Sequence, residues 1–308
     1  MSGTARGGGI LPRTAADTGW AAQEVTMEFR FAACTAGMDD VPHAELQRLY
    51  SQAGFDAVEL MHGMLRPLTV EQAEGLGDEY RAAGVPVETV HLPYEGPAFD
   101  IADFYESRRR KAVARIRHAM ERAAAAGAQA GILHPSTSRE PVDANGFERY
   151  FAQMAVSMRE LLREAERVDL ALAVENLPPV PGRRYGSPPY LYRPSAGDHP
   201  NHHLCSGLHP AHALMPKGHD GTIELMEAMG DRLRAFHLSD TPGDRDLHLA
   251  PGHGAVDFPR VFAHARGLDP LAMCIETPPF APGPDYGDDA WRTMVDEVRA
   301  LAASATAP

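Results

Sequence analysis

The sequence predicts an α/β protein, a single (β/α)8 TIM barrel with a disordered N-terminal leader. Short apolar runs alternate with longer amphipathic stretches from Met27 onward, which is the pattern of βα units and a parallel sheet. Eight such runs fit into about 280 residues, the usual size of one barrel of this kind. Most of the runs also end on a histidine or a carboxylate.

Each element is assigned from its pattern. The predicted strands, in chain order, are FRFAAC, FDAVELM, VPVETVHLP, AQAGILHPS, LALAVENLP, HHLCSGLHPAHA, LRAFHLSD and LAMCIETPP. Helical periodicity and closing glycines predict helices over 41–53, 71–84, 101–127, 146–168, 221–229, 259–267 and 288–303. HHLCSGLHPAHA is a poor strand by propensity and is assigned because strand six should fall there.

Two segments fall outside this alternation. Residues 1–26 lack the apolar core of a secretory signal and are predicted, by composition, to be a disordered leader before a barrel over 27–308. The segment 178–203 is rich in proline, glycine, tyrosine and arginine. It is interpreted either as a lid over the site or as a variable surface insertion.

Composition argues against some classes of partner. The formal net charge is −13, which disfavours a nucleic-acid or anionic-membrane surface because those partners require a basic face. No apolar run approaches the roughly 20 residues of a membrane span. Three scattered cysteines predict no disulfide framework and favour the reducing cytoplasm.

Six polar residues stand at the ends of predicted strands. Because all strands of such a barrel end at one rim, these side chains are expected to converge there. Carboxylates and imidazoles would be costly to bury together unless a divalent cation joined them, and this mixture suits Zn, Mn or Co. The six residues are His91, His134, Glu175, His209, His237 and Glu276.

Four motifs, VENLP, HLSD, DLHLAPGHGAVDF and IETP, occur in that order at strand ends. Together they resemble the xylose-isomerase-like TIM barrels, the superfamily of sugar isomerases, epimerases and apurinic endonucleases. The resemblance extends from about Phe29 to Leu301. Its most specific parts are the glutamates of VENLP and IETP, the histidine of HLSD and the run from Asp246 to Gly254.

The resemblance implies a metal site formed by Glu175, His237 and Glu276. The fourth ligand of the family is an aspartate three residues before a histidine, and the matching stretch here is interpreted as Ser206-Gly-Leu-His209. Ser206 is a poor replacement for that carboxylate. Either His209 or a water therefore fills the position, or the metal is bound weakly, or the site has been repurposed.

Four more residues resemble family positions with two different roles. In the endonuclease branch such residues bind additional zinc ions, and in the isomerase branch they contact substrate or orient ligands. They are His91, His134, Asp246 and His248.

The resemblance implies a metal-dependent isomerase or epimerase acting on a small keto sugar, polyol or related acid through an enediolate, with Glu175 and Glu276 transferring the proton. Alternatives are a hydrolase of the apurinic endonuclease kind, a lyase or dehydratase using the same site, and a non-catalytic ligand-binding barrel. Mn2+ or Zn2+ is the expected cofactor, followed by Co2+ or Mg2+. The expected partner is a small molecule, and the oligomeric state stays open.

Overall fold

Eight parallel strands form a closed barrel in which each strand pairs with its neighbours in sequence and β8 pairs with β1. The computed structural model describes residues 28–94, 96–135, 144–178, 202–277 and 288–305. The strands are β1 Phe31–Cys34, β2 Ala57–Met61, β3 Val87–His91, β4 Ala130–Leu133, β5 Ala171–Glu175, β6 Leu204–Leu208, β7 Leu233–Leu238 and β8 Met273–Ile275. The predicted (β/α)8 barrel is thereby confirmed.

Helices connect the strands along the outside of the barrel. They are α1 His43–Ala53, α2 His62–Leu65, α3 Val70–Ala82, α4 Glu106–Ala125, α5 Ala144–Val168, α6 Pro210–Met229, α7 Phe258–Ala265 and α8 Asp288–Ser304. A further 3-10 turn spans Pro97–Phe99 and another spans Gly230–Arg232. None of the helices in the described part of the chain is long and apolar enough to cross a membrane.

Small side chains face the barrel interior, and larger ones face the surrounding helices. Small residues such as Ala32, Cys34 and Ala57 pack together inside the barrel. The alternate residues, such as Val58 and Leu60, belong to the large core between strands and helices. Since side chains alternate along a strand, position 59 on β2 faces the barrel interior together with Ala57.

Two helix starts differ from the sequence prediction by more than two residues. Helix α4 begins at Glu106 and not near 101, because the Asp100 and Asp103 carboxylates accept hydrogen bonds from the backbone N–H groups of Ala102 and Tyr105 and form turns there. Helix α6 begins at Pro210 and not near 221. Proline suits the first turn of a helix, which lacks an N–H partner in any case.

Helix α6 is also kinked. Pro216 lies within it, and Gly218 has a φ of 70°, which is outside the helical region. The predicted helix over 221–229 is therefore only its second half. The predicted leader 1–26 lies outside the described residues, as does most of the proline-rich segment 178–203.

Helix α3 provides a test of the outer packing. A side chain at Gly77 would place its Cβ 2.2 Å from the carbonyl oxygen of Ala126, whereas Cβ at Gly75, in the same helix, would meet nothing within 4 Å. Gly77→Ala should lower the free energy of unfolding by about 2 kcal/mol through overpacking. Gly75→Ala should raise it by about 0.5–1 kcal/mol, because alanine favours the helix.

Urea unfolding followed by circular dichroism would measure both changes. The packing of α3 would be different from that described if Gly77→Ala were as stable as Gly75→Ala.

Candidate metal centre

All six strand-end residues predicted from the sequence lie together at the carboxyl-terminal rim. Glu175 and His91 are the last residues of β5 and β3, and His237 lies one residue before the end of β7. His134, His209 and Glu276 directly follow β4, β6 and β8. The rim therefore has the convergence expected of a barrel active site.

Four of these residues form what we call the central group: Glu175, His209, His237 and Glu276. Each offers one nitrogen or oxygen, and these four atoms lie within 4.8 Å of one another. His237 Nδ1 lies 3.0 Å from Glu276 Oε2 and 3.4 Å from Glu175 Oε2. His209 Nδ1 lies 3.1 Å from Glu175 Oε1 and 3.5 Å from Glu276 Oε2.

The central group fits a divalent cation. Its buried atoms Glu175 Oε2, Glu276 Oε2 and His237 Nδ1 have no hydrogen-bond partner, although they point at one another. Unpartnered buried carboxylate oxygens are costly, and a shared cation would satisfy all three atoms at once. Two imidazoles and two carboxylates are also a common donor set for zinc and related metals.

The position of His209 corrects the sequence-based interpretation of strand six. Leu204 and Leu208 pack in the outer core, so Ser206, which lies between them on the same face of β6, also faces away from the barrel interior. His209, and not Ser206, joins the central group. The three-residue spacing of the family pattern therefore fits His209 and His212 instead of Ser206 and His209.

The backbone of His209 is fixed by the asparagine of VENLP. Asn176 Oδ1 accepts a hydrogen bond from the His209 N–H at 2.6 Å, and Asn176 Nδ2 donates one to the His209 carbonyl at 2.9 Å. On the side chain, His209 Nε2 lies 2.6 Å from Ser239 Oγ. These contacts leave Nδ1 as the nitrogen that faces the carboxylates.

A second group, the β3–β4 group, consists of His91, His134 and Glu175. Glu175 Oε2 lies 3.2 Å from His134 Nε2 and 3.7 Å from His91 Nε2. His91 Nδ1 donates a hydrogen bond to the Leu92 carbonyl at 3.0 Å, so Nε2 is the nitrogen with a free lone pair when the ring is neutral. Glu175 thus belongs to two adjacent donor sets.

A third group, the loop group, consists of His212, Asp246 and His248. The two carboxylate oxygens of Asp246 lie 3.2 Å from His212 Nε2 and 3.2 Å from His248 Nε2. Carbonyl oxygens of the neighbouring strand ends hold the other ring nitrogens: Asn176 O lies 2.9 Å from His212 Nδ1, and Glu276 O lies 3.1 Å from His248 Nδ1. The structure therefore adds His212 to the residues predicted from the sequence.

The loop group depends on the aspartate of HLSD. Asp240 is fully buried, and its carboxylate accepts hydrogen bonds from four backbone N–H groups at 2.8–3.0 Å. The donors are Thr241, Gly252, Gly254 and Val256. A Cβ at Gly254 would lie 2.4 Å from Asp240 Oδ1, which explains the glycine in the Pro-Gly-x-Gly part of the motif.

The electrostatics of the site favour positive charge. Burial alone would neutralise its carboxylates, but the His237 imidazole and its histidine neighbours hold the pKa of Glu175 and of Glu276 well below the usual value. Burial likewise opposes charge on His248, yet Glu276 and Asp246 raise its pKa to about 10. His209 differs, because burial and the adjacent His212 lower its pKa to about 3.

Three residues in or beside the site were not predicted from the sequence. His212 was visible as the second histidine of HPAH, on the first turn of α6. Glu59 is a fully buried carboxylate within the apolar run FDAVELM, the same signal that drew attention to Glu175. The role of Asp240 was not visible in the sequence, because the N–H groups that it binds lie up to 16 residues away.

The family model described as xylose isomerase-like TIM barrel matches residues 48–301. A search of curated protein sequences finds no match.

Solved structures similar to the chain include a D-tagatose 3-epimerase-like protein, with a TM-score of 0.71 at 20% identity, covering 89% of this chain and 98% of the other. A 3-keto-D-glucoside 4-epimerase from E. coli has a TM-score of 0.70 at 20% identity, and the match covers 88% of this chain and 99% of the epimerase. A D-psicose 3-epimerase has a TM-score of 0.72 at 13% identity, covering 89% and 99%. At these identities the likeness shows the fold.

Metal titration can test the revised interpretation of strand six. His209→Ala should weaken Zn2+ binding to the metal-free protein by more than about 100-fold, exceeding the 10–100-fold typical for residues that only support a ligand. Ser206→Ala should change the affinity by less than about threefold, since Ser206 faces the outer core. Competition with a chromogenic chelator would measure both dissociation constants. Equal losses in the two variants would contradict the assignment of His209.

Proposed function

Because the chain belongs to the xylose isomerase-like TIM barrel family, we propose that it is a metal-dependent isomerase or epimerase of a small keto sugar, polyol or related acid. Family membership alone does not select a reaction, since this fold supports many chemistries. Two of the similar structures are sugar epimerases and a third is an epimerase-like protein, which supports this class.

The observation that carries the proposal is the central group, in which two carboxylates and two imidazoles converge with unpartnered atoms at the barrel rim. Glu175, His209, His237 and Glu276 would hold a divalent cation. Such a cation, when bound, would supply a Lewis acid that polarises a carbonyl or phosphoryl oxygen of the substrate.

Glu175 and Glu276 are proposed to move the proton. Both have a pKa well below the usual value, so both are ionised at neutral pH. The same shift makes each a weak base, so proton transfer from carbon would depend on a bound cation that polarises the adjacent carbonyl and acidifies the C–H. They belong to different strand ends, β5 and β8, and can therefore approach a substrate from different directions. Removal by one carboxylate and return by the other would invert or relocate a stereocentre.

The two carboxylates differ in access to substrate. The Glu276 side chain is 12% exposed, whereas that of Glu175 is 3% exposed and lies between the central and β3–β4 groups. Glu276 is thus better placed for direct contact with a reacting carbon. Asp246 and the four histidines of the other groups would orient the hydroxyl groups of the substrate.

A second candidate is a metal-dependent hydrolase of the apurinic endonuclease kind. Its specific support is that Glu175 is shared by two donor sets and that the loop group lies beside them, an arrangement able to hold more than one cation. The net charge of −13 argues against a DNA substrate, because a polyanion would be repelled.

Exchange of a carbon-bound hydrogen for solvent deuterium separates the two candidates. Protein loaded with Mn2+ or Zn2+ should incorporate deuterium at a carbon beside the carbonyl of one or more ketohexoses in D2O, as followed by proton NMR. Glu276→Gln and Glu175→Gln should each slow exchange by about 10²–10⁴-fold, the usual contribution of a catalytic acid or base. Glu71→Gln, on the exposed first turn of α3, is the matched control and should retain full exchange.

Bis(p-nitrophenyl) phosphate and an abasic oligonucleotide would be assayed in parallel. Hydrolysis of either, without deuterium exchange into any ketose, polyol-derived ketone or keto acid, would replace the isomerase proposal with the hydrolase.

A further inference from the structure

Glu59 is a buried carboxylate directly beneath the central group. It lies on the inward face of β2 and has no exposed surface. Its oxygen Oε2 lies 2.7 Å from Thr89 Oγ1 and 3.1 Å from His237 Nε2, while Oε1 has no hydrogen-bond partner. The thiols of Cys34 and Cys274 lie on the same side of the barrel interior.

The direction of these hydrogen bonds follows from the chemistry of a carboxylate, which accepts and does not donate. The Thr89 hydroxyl donates to Oε2, and His237 must also donate its Nε2–H to the same oxygen. When the ring is neutral, Nδ1 then has the free lone pair. Nδ1 is the nitrogen that lies 3.0 Å from Glu276 and 3.4 Å from Glu175.

Glu59 differs from the groups behind His91 and His209. Behind His91 the ring contact is the carbonyl of Leu92, and behind His209 it is the hydroxyl of Ser239. Both of these are neutral, whereas His237 has a charged acceptor behind it. A carboxylate behind an imidazole orients the ring and makes its other nitrogen a stronger donor to a metal.

A purely structural role does not account for the charge. Within the described residues no lysine or arginine forms an ion pair with Glu59, and the nearby residues Ala57, Cys34 and Cys274 form a small apolar cluster. An ionised carboxylate there is costly unless a cationic neighbour offsets it. His237 is the neighbour that brings positive charge to Glu59, since its Nε2 lies 3.1 Å from Glu59 Oε2.

We propose that Glu59 is a positioning residue for the metal centre: its carboxylate orients His237 and, through the imidazole, strengthens cation binding at Nδ1. The inference rests on the proposed function in one respect, namely that the central group binds a metal. It adds a residue that lies outside the central group.

The test compares Glu59→Gln with the parent protein. Glutamine retains the size of the side chain and one acceptor oxygen but removes the negative charge. Zn2+ affinity, measured by chelator competition, should fall by about 10–100-fold. The thermal midpoint of the metal-free protein should change little, which separates the effect from a loss of folding.

Thr89→Val is the matched control, because it removes the other donor to Oε2 and leaves the contact between Glu59 and His237. Its Zn2+ affinity should stay within about threefold of the parent value. An equal loss in Thr89→Val and Glu59→Gln would point to general disruption of the barrel interior and would overturn the proposal.

Nitrogen-15 NMR of histidine-labelled, Zn2+-loaded parent protein provides a readout that does not depend on any variant folding. His237, assigned by its absence from a His237→Gln sample, should show a metal-bound Nδ1 and a protonated Nε2. A metal-bound Nε2, or unchanged Zn2+ affinity in Glu59→Gln, would overturn the role of Glu59. A parent protein that binds no metal would instead contradict the proposed function on which this inference rests.

Discussion

The site depends on one electrostatic constraint, the burial of several carboxylates within a few ångströms of one another. Parallel strands that end at one rim bring Glu175 and Glu276 together, and Asp246 and Glu59 lie directly beside and beneath them. In the described part of the chain no lysine or arginine pairs with any of these four carboxylates. The groups that lie against these carboxylates are imidazoles, so the site retains protons or binds cations.

Because these carboxylates are buried together, other residues must hold the groups around them in place. Asn176 fixes the backbone of His209, and Asp240 gathers four N–H groups so that the loop with Asp246 and His248 keeps its shape. A donor that can rotate away would leave a neighbouring carboxylate unpartnered in a dry interior. The hydrogen bonds of Asn176 in VENLP and Asp240 in HLSD thus hold donor groups beside the buried charge.

The sequence was sufficient to predict the barrel and the six strand ends, because parallel topology makes every strand end at the same rim. It was not sufficient to show which residues of strand six face the barrel interior. Ser206 and His209 fit the same three-residue spacing as His209 and His212, and only the pairing of Val174 with Ser206 and of Glu175 with Gly207 shows which residues face inward. Glu59 does not stand out in the sequence as the strand-end residues do, because this carboxylate lies within its strand.

The imidazole of His209 changes the charge balance of the rim. If the central group holds a divalent cation as proposed, its two carboxylates and two neutral imidazoles would bring the formal charge to zero, whereas the aspartate expected from the family pattern would leave a net charge of −1. Such a neutral site would accept a substrate that binds as an anion without added repulsion, and it would withdraw electrons more strongly from that substrate. The second imidazole would also favour metals that prefer nitrogen ligands, such as zinc and cobalt, over magnesium.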